Sequence, residues 1–368
     1  VSGLIERHGE SLPPSVREHP ITLGEGSTPL LRLDRIRDAR GLNFDLYCKF
    51  EGANPTGSFK DRGIVSAIAH AKSNGKGTVI CASTGNTSAS AAAYSGLAGM
   101  RCVVLMPEGK VASGKVAQAV MHDAEMLQVR GNFDDAMELV KEIGGRAPIE
   151  IVNSTNPMRL QGQKTLALEV IEELGRAPDY HALPVGNAGN ITAHWIGYSE
   201  ARGKATAACS HCGGEGCPFL GKKRAERAPR LVGYQAEGAA PFVAGAFVAD
   251  PETVASAIRI GQPQSWDAAL LASRESGGWF AAVSDAEILD AQALLASSEG
   301  VFCEPASAAP VAGVLNDAAA GKFEDGSAVV CTVTGHGLKD PSVADARMRR
   351  RTIDASIDAL EEALGERQ

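Results

Sequence analysis

Residues 78–98 read TVICASTGNTSASAAAYSGLA. A short apolar run is followed by a polar Ser/Thr/Gly/Asn segment at 83–88, then by small residues whose apolar spacing is near 3.6. That is strand, loop, helix, and the succession recurs along the chain. LYCKF (46–50), CVVLM (102–106), IEIV (149–152), HALPV (181–185), RLVGYQ (230–235) and AVVCTV (328–333) read with TVICA (78–82) as buried parallel strands. Segments 87–98, 133–143, 158–174 and 190–202 read as the helices between them. Such alternation predicts an α/β architecture with parallel sheets. Ligands of open α/β sheets sit beyond the carboxyl ends of strands. Three polar loops fall there: STGNTS (83–88), GNAGN (186–190) and TGHG (334–337). Together they predict one pocket.

The bulk properties limit what that pocket serves. The chain has 368 residues, 44% hydrophobic and 22% charged, enough for two domains with their own cores. A formal net charge of −8 predicts no sequence-independent grip on nucleic acid, so an anionic substrate needs a local basic group. No apolar run approaches the ~20 residues that span a bilayer, and the polar first 20 residues resemble neither a signal nor a transit peptide. A cytoplasmic enzyme without membrane attachment is expected. Eight cysteines are too few for a disulfide scaffold of this length, and Cys48, Cys81, Cys102 and Cys331 read as small buried hydrophobes.

EGANPTGSFKDRG (51–63) carries the chemistry. Asn54-Pro55-Thr56-Gly57 is a turn, after which Ser58 can cap a helix running through Lys60 towards His70. The positive helix end and nearby Arg62 would both oppose protonation of Lys60, as Schiff-base chemistry requires. On spacing alone, an exposed lysine beside Asp61 fits equally well.

The set NPTGSFKDRG, STGNTSASAAAYSG (83–96), GNAGN and TGHGLKDP (334–341), in that order, resembles the threonine synthases, pyridoxal 5'-phosphate (PLP) enzymes of fold type II in the tryptophan synthase β-like family. The similarity runs from GEGSTPLLRL (24–33) to Pro341. A lysine-centred motif alone would also suit the serine and threonine dehydratases, but those resemble a GGGGL-type phosphate loop where this chain has GNAGN. A PLP-binding interaction protein without catalysis is a third reading, against which an intact Lys60 and a full set of anion donors speak.

The resemblance implies two α/β domains with the cofactor in the cleft between them: a large one from 1–50 and 153–368, and a small one from 51–152 that closes over substrate. It makes Lys60 the Schiff-base lysine and proton shuttle, puts Asn86 on the cofactor 3'-oxygen and Thr334 at the pyridine nitrogen, and wraps the backbone of Gly186, Asn187, Ala188, Gly189 and Asn190 around the cofactor phosphate. Two glycines and a following helix N-terminus suit that last role. The implied substrate is O-phospho-L-homoserine, converted with water to L-threonine and phosphate. Ser83, Thr84, Asn86 and Thr87 would hold its carboxylate, with Ser88 a helix cap. In NSTNPMRLQGQKT (153–165), Asn153, Ser154 and Arg159 would hold its γ-phosphate, near Thr87, Asn187 and Lys60. An arginine at a helix start opposes the dipole, which hints at an anion. A homodimer is a further family expectation.

One segment departs from the family. Residues 205–229 form a Cys-rich insertion containing CSHCGGEGCPFLGKKRAERAP (209–229). Two readings stay open: a flexible surface loop with incidental cysteines and no metal, or a zinc- or redox-responsive loop using Cys209, Cys212 and Cys217, with His211 awkwardly placed inside the CxxC. Its basic residues (Lys222, Lys223, Arg224, Arg227, Arg230) suggest the rim of the site or a partner contact. Near the end, Arg347 and Arg349 to Arg351 read as a solvated basic face, and Ile353, Ile357, Leu360 and Leu364 as the docking stripe of a last helix.

Overall fold

The computed structural model describes residues 2–109, 113–131, 133–144, 148–213, 217–220, 223–341 and 350–365. In chain order its strands are β1 (Leu30–Arg32), β2 (Asp45–Phe50), β3 (Thr78–Ala82), β4 (Arg101–Pro107), β5 (Glu125–Val129), β6 (Ile149–Ile151), β7 (Tyr180–Pro184), β8 (Arg230–Ala236), β9 (Trp279–Val283) and β10 (Ala328–Val333). They build two sheets, ordered β1-β2-β10-β7-β8-β9 and β5-β4-β3-β6. Every pairing is parallel except that of the edge strand β1 with β2. All seven runs read as strands are strands. The inner ones are mostly apolar because helices cover both faces; β7 and β10 are buried at every position.

The order of pairing places the loops. β10 lies beside β7, so residues 334–337 and 186–190 emerge next to each other, while 83–88 leaves β3 near the middle of the smaller sheet. An antiparallel bridge of Ser58 with Gly335 ties the lysine segment to the loop after β10. Phe59 N donates to Thr334 O at 2.9 Å, and His336 N to Gly57 O at 2.9 Å. The helix Lys60–Ser73 starts two residues after Ser58, whose hydroxyl accepts weakly from Lys60 N at 3.4 Å.

Segment 158–174 is two helices, Pro157–Gln163 and Thr165–Leu174, meeting at Lys164. The first crosses the Lys60–Ser73 helix backbone to backbone. A Cβ on Gly162 would lie 1.9 Å from Arg62 O, and one on Gly63 2.7 Å from the Gln163 amide. Gly162→Ala is therefore expected to destabilise the protein by about 3 kcal/mol, read from its denaturant midpoint at unchanged slope. A wild-type midpoint would refute this account of the crossing.

Behind the crossing lies an ion network. Arg62, fully buried, donates to both carboxylate oxygens of Glu51 (2.7 and 2.8 Å) and of Glu169 (2.8 and 2.7 Å). Burial raises the pKa of each carboxyl, but Arg62 overrides it and both end below their ordinary value. Arg62 therefore serves the scaffold rather than the amine of Lys60, contrary to the expectation from adjacency.

In the first 20 residues, Leu4, Ile5, Leu12 and Val16 join the core that holds Ile64, Ile68 and Val79. The stripe of the last helix (Ile357–Gly365) is largely exposed among the described residues: Ile357 and Leu364 are 66% and 65% exposed, and Ile353 precedes the helix. Arg347 and Arg349 lie outside the described residues, while Arg350 and Arg351 are exposed. Finally, the described residues of the insertion pack against the protein. Cys209 and Cys217 are buried, Gln161 Nε2 donates to Cys209 Sγ at 3.4 Å, and Lys164 Nζ stands 3.9 Å over the Phe219 ring. Among the described residues no three His, Cys, Asp or Glu are grouped to hold a metal ion. Lys222 lies outside the described residues; Lys223 and Arg224 pair with Glu226 and Glu172, away from the cleft. Cys48, Cys81, Cys102 and Cys331 are buried hydrophobes as expected.

Candidate active site

The three loops and the start of the Lys60–Ser73 helix line one cleft. Its deep part is walled by Phe59, Lys60, Asn86, Gly186 to Asn190, Glu304 and Thr334. Its outer part adds Ser83, Thr84, Thr87, Asn153 and Lys339. The residues singled out from the sequence for cofactor and substrate thus line one cavity, whose two halves share Lys60, Asn86, Ser154, Arg159, Asn187 and Glu304.

Lys60 is part-buried, its Nζ 4.3 Å from the centre of the Phe59 ring. Burial, then the nearby charge of Arg159, lowers its pKa to about 7, with Glu304 opposing. The helix terminus proposed from sequence placed the amine correctly, but the cation acting on it is Arg159 and not Arg62. A lysine so placed has a substantial neutral fraction near pH 7, the state that attacks a carbonyl.

The loop after β7 is shaped for an anion. Ala188 holds a left-handed φ of 63°, and the helix Gly189–Ala201 begins at once without a side-chain cap. Its first residues, Gly189 and Asn190, line the deep part of the cleft, where unpaired helix amides suit an anion. Both amide atoms of the Asn190 side chain are buried without a partner among the described residues, a cost of about 1–3 kcal/mol per atom unless a ligand satisfies them. Gly186 packs where a Cβ would come within 3.0 Å of Ile258 Cα. These residues fit a cofactor phosphate. On the opposite edge, the Thr334 hydroxyl is 2.8 Å from that of Ser307, which also accepts from Gly335 N at 2.8 Å. A neutral hydroxyl there suits a ring nitrogen without forcing its protonation.

Arg159 is 1% exposed and has no acidic partner among the described residues. Its Nη1 donates to Val152 O at 3.1 Å and its Nε is buried without a partner. Burial lowers its pKa to about 10. A desolvated guanidinium lacking a counter-charge is an anion receptor. Ser154, beside it, donates to Gln264 at 2.7 Å. Asn153 is committed elsewhere: its amide accepts from Ala82 N at 3.1 Å and donates to Ala82 O at 3.0 Å, fixing the root of the 83–88 loop. Ser88 does not cap the helix Asn86–Ala98: it lies in the first turn and its hydroxyl donates to Gly85 O at 2.8 Å. His336 caps the 337–339 turn, its Nδ1 accepting from Leu338 N.

Two residues had no signal in the sequence. Glu304, 4% exposed, accepts from Asn86 Nδ2 through both oxygens, at 3.1 and 3.2 Å. Lys339 bonds Thr56 O at 3.1 Å and the Gln118 side chain, and burial lowers its pKa. A glutamate before proline reads as a helix start, and nothing local couples it to an asparagine 218 positions earlier.

Comparison with known proteins agrees with this geometry. The family described as pyridoxal-phosphate dependent enzymes matches residues 21–335. A threonine synthase of Halalkalibacterium halodurans is 50% identical over 342 residues, covering 93% of this chain and 91% of that protein. One from Mycobacterium tuberculosis is 51% identical over 343 residues, covering 93% and 90%, and one from Methanosarcina acetivorans is 47% identical over 359 residues, covering 95% and 84%. Among solved structures, maize serine racemase superposes with a TM-score of 0.70 at 19% identity, over 90% of this chain and 95% of that one, a likeness of fold. The chain belongs to the pyridoxal-phosphate dependent enzymes.

Proposed function

We propose that this chain is a threonine synthase, converting O-phospho-L-homoserine and water to L-threonine and phosphate. The observation that carries the reading is Arg159, a buried guanidinium without a counter-charge in the same cavity as Lys60. Relatives about 50% identical over 93% of the chain carry that activity in their names.

PLP bound to Lys60 supplies an electron sink that makes the substrate's α- and β-protons removable. The rest falls to the chain. Gly186 to Asn190 anchor the cofactor phosphate, and Asn86 and Thr334 fix the two polar edges of the ring. Ser83, Thr84, Asn86 and Thr87, at the start of the Asn86–Ala98 helix, offer hydroxyls and amides to the substrate carboxylate. Arg159 and Ser154 hold the phosphate while it is bound at Cγ and as it leaves. Lys60 Nζ, once displaced by the substrate amine, takes the proton from Cα and returns protons later. Its lowered pKa keeps it competent as a base near neutrality. Holding the departed phosphate favours water addition at Cβ over release of a 2-oxoacid.

One assay tests the reading: the PLP-loaded protein is given O-phosphohomoserine, threonine or serine, and phosphate, threonine and 2-oxoacid are measured. Threonine and phosphate in equal amounts from the first are expected. Oxoacid from threonine or serine at comparable rates would make it a dehydratase, and no turnover at all would make it a binding protein. The same reading carries a two-domain division near residues 51 and 152, a homodimer and a cytoplasmic location; light scattering at micromolar concentration tests the second. No helix among the described residues is long and apolar enough to cross a membrane.

A further inference from the structure

We propose that Glu304 is a positioning residue of this site, its carboxylate orienting the Asn86 amide and holding the negative charge that balances the Lys60 amine. The inference rests on the assignment of Lys60 as the cofactor lysine.

Three independent contacts seat the carboxylate. Both of its oxygens accept from Asn86 Nδ2, which fixes the amide's orientation and leaves its second hydrogen free for the cofactor edge. Gly335 lies directly beneath: a Cβ there would fall 2.4 Å from Glu304 Oε1 and 2.7 Å from its Cδ. The backbone is pinned by Glu304 N donating to Gly335 O at 3.1 Å. Glu304 precedes the helix Pro305–Ala319 but its carboxylate does not cap it. The acceptor is turned away from the helix amides, which would ordinarily claim it, and into the cleft.

That helix holds both edges of the cofactor site from behind. Its N-cap residue Glu304 holds Asn86, and its first-turn Ser307 holds Thr334. The charged groups facing Glu304 are Lys60, Lys339 and Asp340; those facing Lys60 are Arg159 and Glu304. Burial raises the Glu304 pKa, and the two lysines and Asn86 counter this. Arg159 and Glu304 thus act on Lys60 with opposite signs, and removing Glu304 leaves Arg159 unopposed.

The test is the rate at which apoprotein captures PLP as a function of pH, followed by visible absorbance, with borohydride trapping and peptide mapping to show the site of attachment. Capture needs the neutral amine, so the wild-type rate should rise with pH and level off above about 7. In Glu304→Gln, isosteric and still able to accept from Asn86, the inflection should fall by roughly one pH unit. Glu304→Asp, which keeps the charge, should restore most of it. An unmoved inflection in Glu304→Gln, with trapping still at Lys60, overturns the proposal and leaves the Lys60 assignment intact. Trapping at another lysine in the wild type overturns both.

Discussion

Lys60→Ala is expected to lower threonine formation by on the order of 10⁴-fold, with the cofactor still bound through the 186–190 loop but no longer trapped by borohydride. Two roles are lost together, since the lysine is both the covalent anchor and the base that takes the α-proton. A small primary amine added to the variant should restore part of the turnover, because it can replace the base but not its placement. Full turnover in the variant would sink the scheme. Stability should move the other way. The amine's pKa is about 7 in the folded chain against an ordinary 10.5, so folding disfavours its protonated form. The destabilisation from Lys60 is complete below pH 7, fades as pH rises, and is gone above 10.5. Apoprotein carrying Lys60→Ala should therefore melt higher than wild-type apoprotein at pH 6, with the gap closing towards pH 10. A site that costs stability in the absence of its ligand is the usual trade of function against folding.

What could be read before folding followed a physical rule. A continuous apolar run is its own signal, and all seven such runs are strands, including the half-buried edge strand β6. The strands missed were β1, β5 and β9. Each lies at a sheet edge, and β1 and β5 are largely exposed, with sequences LLR and EMLQV that lack a continuous apolar run. The break at Lys164 was invisible because apolar spacing carries across it. Its cause is tertiary: Lys164 turns inward to Gln161 and Glu200, at 2.6 and 3.0 Å, and under Phe219 of the insertion. The site divides in the same way. Loops whose backbone does the work, such as 186–190, declare themselves by glycine and asparagine. Roles that depend on a distant partner do not. Arg62 looked like a neighbour of Lys60 and proved to belong to Glu51 and Glu169, a misreading that treated closeness in sequence as closeness of function. Asn153 lines the cavity and also clamps Ala82, a second bond that nothing in its own segment announces.

Arg159 is the case in which the absence of an acidic partner among the described residues is itself the signal, and it carries the second large effect. Replacing it by methionine, similar in length and uncharged, should lower kcat/KM for O-phosphohomoserine by roughly 10²- to 10³-fold, the loss of two charge-assisted hydrogen bonds to phosphate in a desolvated site. Arg159→Lys should recover little, because a point charge does not reproduce the planar fork. The apoprotein gives a readout that does not depend on turnover. A buried guanidinium without a counter-charge destabilises the fold, so the methionine variant should melt higher than wild type in buffer lacking multivalent anions. Inorganic phosphate should then raise the wild-type melting temperature in a saturable way, by about RT ln(1 + [L]/Kd) in free energy. It binds the cofactor-phosphate loop as well, so the methionine variant should keep one part of that rise and lose the part due to Arg159. An equal rise in both proteins would show that phosphate does not reach Arg159, and would separate this residue from the substrate's leaving group. If the rise is lost as predicted, phosphate recognition is built into the scaffold before substrate arrives. Arg159 can then hold the departing phosphate without reorganising, because the Pro157–Gln163 helix that carries it is already locked against the Lys60–Ser73 helix at Gly63 and Gly162.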